Sequence, residues 1–133
     1  MGIREIITGK LPYIIPDFTY LDEYDQVQSR IYYGFIPEDE ETLPAMAFLI
    51  SEHGESRDLE GAVYACWSTV KFGIISKDVL ELDVIKGRML DLCGVGKLPG
   101  VRVIDYVEVA DADPDLTLQN NLVGVEITLT FHM

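Results

Sequence analysis

The sequence predicts an α+β domain: a mostly antiparallel sheet covered on one face by one main helix, with an irregular N-terminal arm. Three observations lead there. The closing stretch "LVGVEITLTFHM" alternates apolar and polar residues with period two, as a half-buried strand does. The segment "SKDVLELDVIKGRMLDLCG" carries its apolar residues at helical spacing instead. A chain of 133 residues builds one real core but not two, so an arm (1–29) and a sheet-and-helix core (30–133) belong to a single domain.

In the arm, "GIREIITGK" has the makings of a short helix, whereas Pro12 and Pro16 in "LPYIIPDF" predict extended or irregular backbone. "TYLDEYDQVQSR" fits a further helical turn or two. "RIYYGFIP" is rich in β-branched and aromatic residues and ends at Pro37, so it reads as a strand. Four consecutive carboxylates (Glu38, Asp39, Glu40 and Glu41) then form a loop, and Pro44 opens the strand "AMAFLISE". "HGESRDLEG" has the composition of a hairpin connection. Residues 62 to 75 form a long strand with Cys66, Ser68, Val70, Phe72 and Ile74 on one face and Trp67, Thr69 and Lys71 on the other. A strand of that length bends or projects beyond its sheet.

The helix has Asp78 as its cap, Glu81 completing a capping-box pattern and Gly94 as its stop. Val79, Leu82, Ile85, Met89, Leu92 and Cys93 share one face. Leu80 and Val84, spaced i, i+4, share another, which fits either a broadly buried helix or contact with a neighbouring subunit. "GVGKLPG" reads as a turn, "VRVIDYVEVA" as a strand, "DADPDLTLQNN" as a polar loop, and the chain closes on its final strand.

The charge balance is 23 acids against 10 bases, net −13. Proteins that grip nucleic acid displace counterions with Lys and Arg, so this balance argues against ordinary nucleic-acid binding. It is compatible with a surface that DNA slides past, although on charge alone simple solubility is the readier explanation. No apolar run approaches the roughly 18 residues that span a bilayer. Arg4, Glu5 and Lys10 interrupt any leader-like core, so a cytoplasmic product without membrane contact is expected. Cys66 and Cys93 make neither a disulfide framework nor a zinc site and are expected reduced and packed.

Catalytic chemistry has few candidates. The two histidines are His53, in the expected hairpin turn, and His132, next to the last residue, neither beside a nucleophile in sequence. The G-x-G of "GVGKLPG" follows a helix instead of opening one, so it lacks the N-terminus that holds phosphate. Asp111, Asp113 and Asp115 have the opening spacing of a calcium loop, but Pro114 intervenes and the required Gly and twelfth-position Glu are missing. The residues therefore predict no catalytic group, no metal site and no cofactor, and they disfavour an enzyme.

The succession "RIYYGF", "EDEET", "LPAMAFLI", "VYACWSTVKFGI", "SKD" and "VLELDVIKGRMLDL", closed by "VGVEITLTFHM", resembles the tail terminator (tail completion) proteins of long-tailed bacteriophages. The likeness covers about three-quarters of the chain and is a rhythm of elements. The opening departs from it, because Pro12 and Pro16 interrupt the longer first helix usual in the family. The resemblance implies a structural virion protein of the tail's neck region, assembled in the host cytoplasm. It implies a homo-oligomeric ring, a hexamer, that caps the tail tube, ends its polymerisation and meets the head-closure or connector protein. Its partners would be copies of itself, the tail-tube protein and that connector, with DNA passing through unbound.

On that reading Leu80 and Val84 are the expected subunit contact. The loops 38–41 and 111–115 are the candidate channel linings, each also fitting an outer solvated position. Acids lining a DNA channel would act as a lubricant, repelling phosphate. Three other readings stay open. One is another neck or tail part, a tube subunit that uses the long strand 62–75 or a head-closure protein. Another is a small-ligand-binding domain with Trp67, Tyr32 and Tyr33 at its pocket. The third is a hydrolase or isomerase working through acids alone.

Overall fold

Ile3, Ile6, Ile7 and Leu11 fall on one face at helical spacing, and all are buried. They belong to α1 (Ile3–Ile14), which continues through Pro12. The expected irregular backbone at Pro12 is therefore corrected to helix. Proline forfeits the hydrogen bond to the Thr8 carbonyl, but Thr8 lies on the exposed side. Burial of the apolar stripe, Pro12 included, offsets the loss. The computed structural model describes residues 2–37, 40, 42–111 and 122–133, without the side chain of Tyr64.

Pro16 opens a single 3-10 turn (Pro16–Phe18) that buries Phe18. The extra helical turns expected next are instead a small hairpin, β1 (Thr19–Leu21) with β2 (Val27–Ser29). Asp22 decides this locally: its carboxylate accepts from the backbone N–H groups of Tyr24 and Gln26, both at 2.9 Å, an Asx-type turn that competes with helix. Those bonds, the Gln26 N–H foremost, hold the Asp22 carboxyl below its usual range.

Six further strands form one sheet: β3 (Ile31–Tyr33), β4 (Ala45–Arg57), β5 (Val63–Ser76), β6 (Gly94–Leu98), β7 (Val101–Asp111) and β8 (Val123–His132). Their spatial order is β3-β4-β5-β8-β7-β6. β3 runs parallel to β4 while the remaining neighbours are antiparallel, so the sheet is mixed and curled. "GVGKLPG", expected as a turn, supplies the edge strand β6, because Leu98 buries against the core and only Pro99 and Gly100 are left to turn. β4 likewise runs on to Arg57, so most of the expected hairpin connection, His53 included, is strand.

α2 (Val79–Leu90) packs Leu82, Ile85 and Met89 inward. Asp78 caps it, its side chain accepting from the Leu80 N–H at 2.8 Å. Glu81 does not close the box onto Asp78; it accepts from the buried Ser76 hydroxyl at 2.7 Å, and Ser76 Oγ in turn accepts from the Asp78 N–H. Val79, expected in the core, is exposed, since as first helical residue it stands outside the packed turns. The helix ends at Leu90 with Asp91 as cap, ahead of Gly94, which opens β6 at φ +128°.

The expectation of one main helix is therefore corrected to two of 12 residues each. α1 reaches both edges of the curled sheet. Arg4 stacks 4.0 Å over the Tyr33 ring on β3, and Lys10 Nζ donates to the Pro99 carbonyl between β6 and β7. A Cβ on Gly100 in that same turn would crowd Ile6, and its φ of +85° also favours glycine.

Alternation along the central strands is as the sequence predicts. Val70, Phe72 and Ile74 of β5 and Val125, Ile127, Leu129 and Phe131 of β8 are buried in one continuous core. Lys71 and Glu126 stand exposed on the other face. The long strand also projects: β4 and β5 stay paired out to Arg57 and Val63, whereas β8 joins β5 only from Trp67 onward. Beyond Trp67 a two-stranded ribbon extends past the sheet.

Candidate functional site

Three surfaces hold the side chains singled out in the sequence, and they lie apart. The first is the outer side of α2. Leu80 is 74 % exposed and Val84 53 %, one helical turn apart. Of the two alternatives for Leu80 and Val84, burial within the same chain is excluded. The i, i+4 spacing that sends Ile85 and Met89 inward sends these residues into solvent.

The second is the acidic run after β3, of which Glu40 alone lies within the described residues. Glu38, Asp39 and Glu41 fall outside them. Glu40 is half-buried, accepts a hydrogen bond from the Tyr32 hydroxyl and also accepts from the Thr42 N–H at 3.0 Å. Tyr32 projects from β3 on the face opposite the core, where its pair in β4 is Ala47. Burial, and then the Glu40 carboxylate, push its phenol up to about 12. The folded protein thus keeps a proton that an unfolded tyrosine releases near 10. The stabilisation is fully present below that unfolded value and is lost as pH rises towards 12. An alkaline titration followed by tyrosinate absorbance should show a step near pH 12 that Tyr32→Phe deletes. A titration curve near pH 12 that Tyr32→Phe leaves unchanged would contradict the Tyr32–Glu40 contact.

The third surface lies towards the other edge of the sheet, on β7. Asp111 is exposed at the end of β7, and Asp113 and Asp115 lie outside the described residues. The two acidic segments are not brought together by the described strands. β3, which leads into the first, is one edge of the sheet, whereas β7, which leads into the second, is four positions away across β4, β5 and β8.

The histidines lie in rows that sequence reading missed, because cross-strand register is not visible in a linear spacing. His53 Nδ1 is 2.9 Å from Ser68 Oγ, its partner across β4 and β5, and His53 Nε2 is 3.8 Å from Glu55. The order of groups echoes a nucleophile, a base and an orienting acid. Yet Ser68 is wholly buried, leaving no surface through which a substrate reaches its oxygen, and the histidine–carboxylate separation is too long for a hydrogen bond. His132 Nε2 meets Asp105 at 2.8 Å across β8 and β7. Cys66 and Cys93 are free and half-buried, and burial, with Asp105 adding to it, pushes the Cys93 thiol up, away from thiolate chemistry.

Among the described residues no three metal-ligating side chains converge, and no helix is long and apolar enough to cross a membrane. Trp67, Tyr32 and Tyr33, the expected pocket aromatics, do not share a cavity. Trp67 lies flat on Gly54 in the ribbon, where a Cβ would fall 2.3 Å from the indole, while Tyr33 stacks between Arg4 and Phe48. What the described surface does present is an exposed apolar pair on α2, a projecting ribbon and exposed acids. No protein-family model matches the chain, and no curated protein matches it in sequence.

Proposed function

We propose that this chain is a structural virion protein, a phage tail terminator. It forms a ring, a hexamer, on the last layer of the tail tube, ends tube growth and offers the joint to the head-closure or connector protein. The observation that carries the reading is the outward apolar pair of α2, Leu80 and Val84, held in water by a helix whose other face packs Leu82, Ile85 and Met89. Single exposed apolar residues are ordinary, and two on adjacent turns of one helix face support a reading in which another copy covers them. The rhythm of elements shared with tail terminators supports the same reading, as does the net charge of −13, which keeps a passing duplex from adhering.

The projecting β4–β5 ribbon favours a second reading, a tail-tube subunit whose ribbon stacks onto the next layer. Electron microscopy and sedimentation of the purified protein separate the two. Closed single rings are expected for a terminator, and open-ended tubes identify a tube subunit. A protein that stays monomeric at every concentration and never binds tube ends is neither. The double variant Leu80→Glu, Val84→Glu should remain folded, since both side chains are exposed, and should lose ring formation.

A further inference from the structure

Between α1 and the β1–β2 hairpin lies a cleft of about 320 Å³, at the lower end of the range for small-ligand sites. Thr8, Gly9 and Tyr13 line it from the outer side of the helix, and Thr19, Val27 and Ser29 from the hairpin. In a chain of 23 acids and 10 bases, none of its lining residues is charged. Tyr13 is 81 % exposed and supplies an aromatic surface. Val27, also exposed, supplies an aliphatic one beside its cross-strand partner Leu21.

The hydroxyls of the cleft have defined hydrogen-bonding roles. Thr8 donates its proton to the Arg4 carbonyl at 2.9 Å and Thr19 to the Pro16 carbonyl at 2.7 Å, so each has lone pairs left to offer. Ser29 Oγ accepts from the Ile31 N–H at 3.1 Å and keeps its proton to give. Gly9 keeps the space between them open. It lies inside α1 without a positive φ, where glycine weakens a helix relative to alanine. A Cβ there would meet nothing within 4 Å, so neither packing nor backbone geometry calls for glycine.

We propose that this cleft binds a neutral, hydroxyl-rich ligand with one apolar face, a sugar residue, laid against Tyr13 and Val27. A charged ligand would find no counter-ion, and a wholly apolar one would cover the hydroxyls without bonding them. Sugar hydroxyls both donate and accept, which suits acceptors at Thr8 and Thr19 beside a donor at Ser29. The cleft shares no residue with the α2 pair, so binding is read independently of ring formation.

Amide-shift titrations of the isotope-labelled full chain with glucose, galactose and N-acetylglucosamine test the site. At least one sugar should shift the amides of Thr8, Gly9, Thr19, Val27 and Ser29 to saturation, while gluconate and phenol should not. Gly9→Leu should melt no lower than the unaltered chain, because leucine favours helix, yet should bind about tenfold or more weakly. Tyr13→Ala should weaken binding by a similar factor, with circular dichroism confirming the fold. Absence of saturation with all three sugars, or saturation that Gly9→Leu leaves intact, would overturn the site. So would gluconate, phenol or a neutral peptide of glycine and serine saturating as tightly as the best sugar.

Discussion

Replacing Phe72 with alanine is expected to lower the unfolding free energy by about 3–5 kcal/mol, the range for truncating a large aromatic in a packed core. Phe72 is wholly buried at the middle of β5, the strand that both β4 and β8 pair with. Its ring lies 6.3 Å from Phe48 on β4 and 6.1 Å from Phe131 on β8, so one side chain bridges three strands. Deleting it removes two aromatic contacts, each worth about 0.5–1.5 kcal/mol beyond area, besides opening a cavity. Since domains of this kind hold about 5–15 kcal/mol in all, the variant should sit near the edge of folding. Phe35, 74 % exposed after β3, is the internal control, and its alanine variant should stay within about 0.5 kcal/mol of the parent. Urea titrations check both: the midpoint should fall for Phe72→Ala with little change of slope and hold for Phe35→Ala. Equal midpoints for the two would mean that Phe72 is not core.

What the sequence revealed depended on whether the deciding force was local. The final strand was legible because Val125, Ile127, Leu129 and Phe131 alternate with polar residues and one face alone is buried. α2 was legible because its cap and stripe sit within one short window, and Asp78 does cap it. The last turn of α1 was hidden by Pro12, whose local cost is overridden by burial of Ile6, Ile7 and Leu11 in the core, Ile6 lying beside the distant β6–β7 turn. β6 was hidden for the same reason: Gly94 and Gly96 read as turn, and only the pairing with β7 makes them strand. The parallel placement of β3 beside β4 has no local signature at all.

The candidate surfaces divide in the same way. Helical spacing set Leu80 and Val84 apart from the packed face, and the structure turns both to solvent. The tip of the β4–β5 ribbon reads as connection because Asp58, Gly61 and the charges around Leu59 have turn composition. Its prominence comes from β8 stopping at Trp67, which is a fact about a different strand. The acids of 38–41 looked uniform, yet Glu40 is tied to Tyr32 by a bond that depends on where β3 runs.

Arg30→Met should cost about 2–4 kcal/mol, from leaving buried carbonyls without a donor. Arg30 is 6 % exposed, a rare place for a guanidinium. Its Nε donates to the Pro44 carbonyl at 2.9 Å and an Nη to the Asp17 carbonyl at 3.3 Å, so one planar fork ties the 3-10 turn to the entry of β4. The backbone of the same residue accepts from the Met46 N–H and donates to the Phe18 carbonyl. The Tyr20 ring, 5.3 Å from the guanidinium, covers it further. Methionine fills much of the volume but satisfies neither carbonyl. Lysine keeps the charge but lacks the fork and should recover only part of the loss. The two core variants should also fail differently. Phe72→Ala weakens the whole sheet, whereas Arg30→Met first frees the arm. Hydrogen exchange should therefore accelerate at Phe18 and Arg30 while β5 and β8 keep their protection. Uniform acceleration across the sheet would show that the arm and the sheet open as one unit. Arg30 would then be a general core residue and not a clasp.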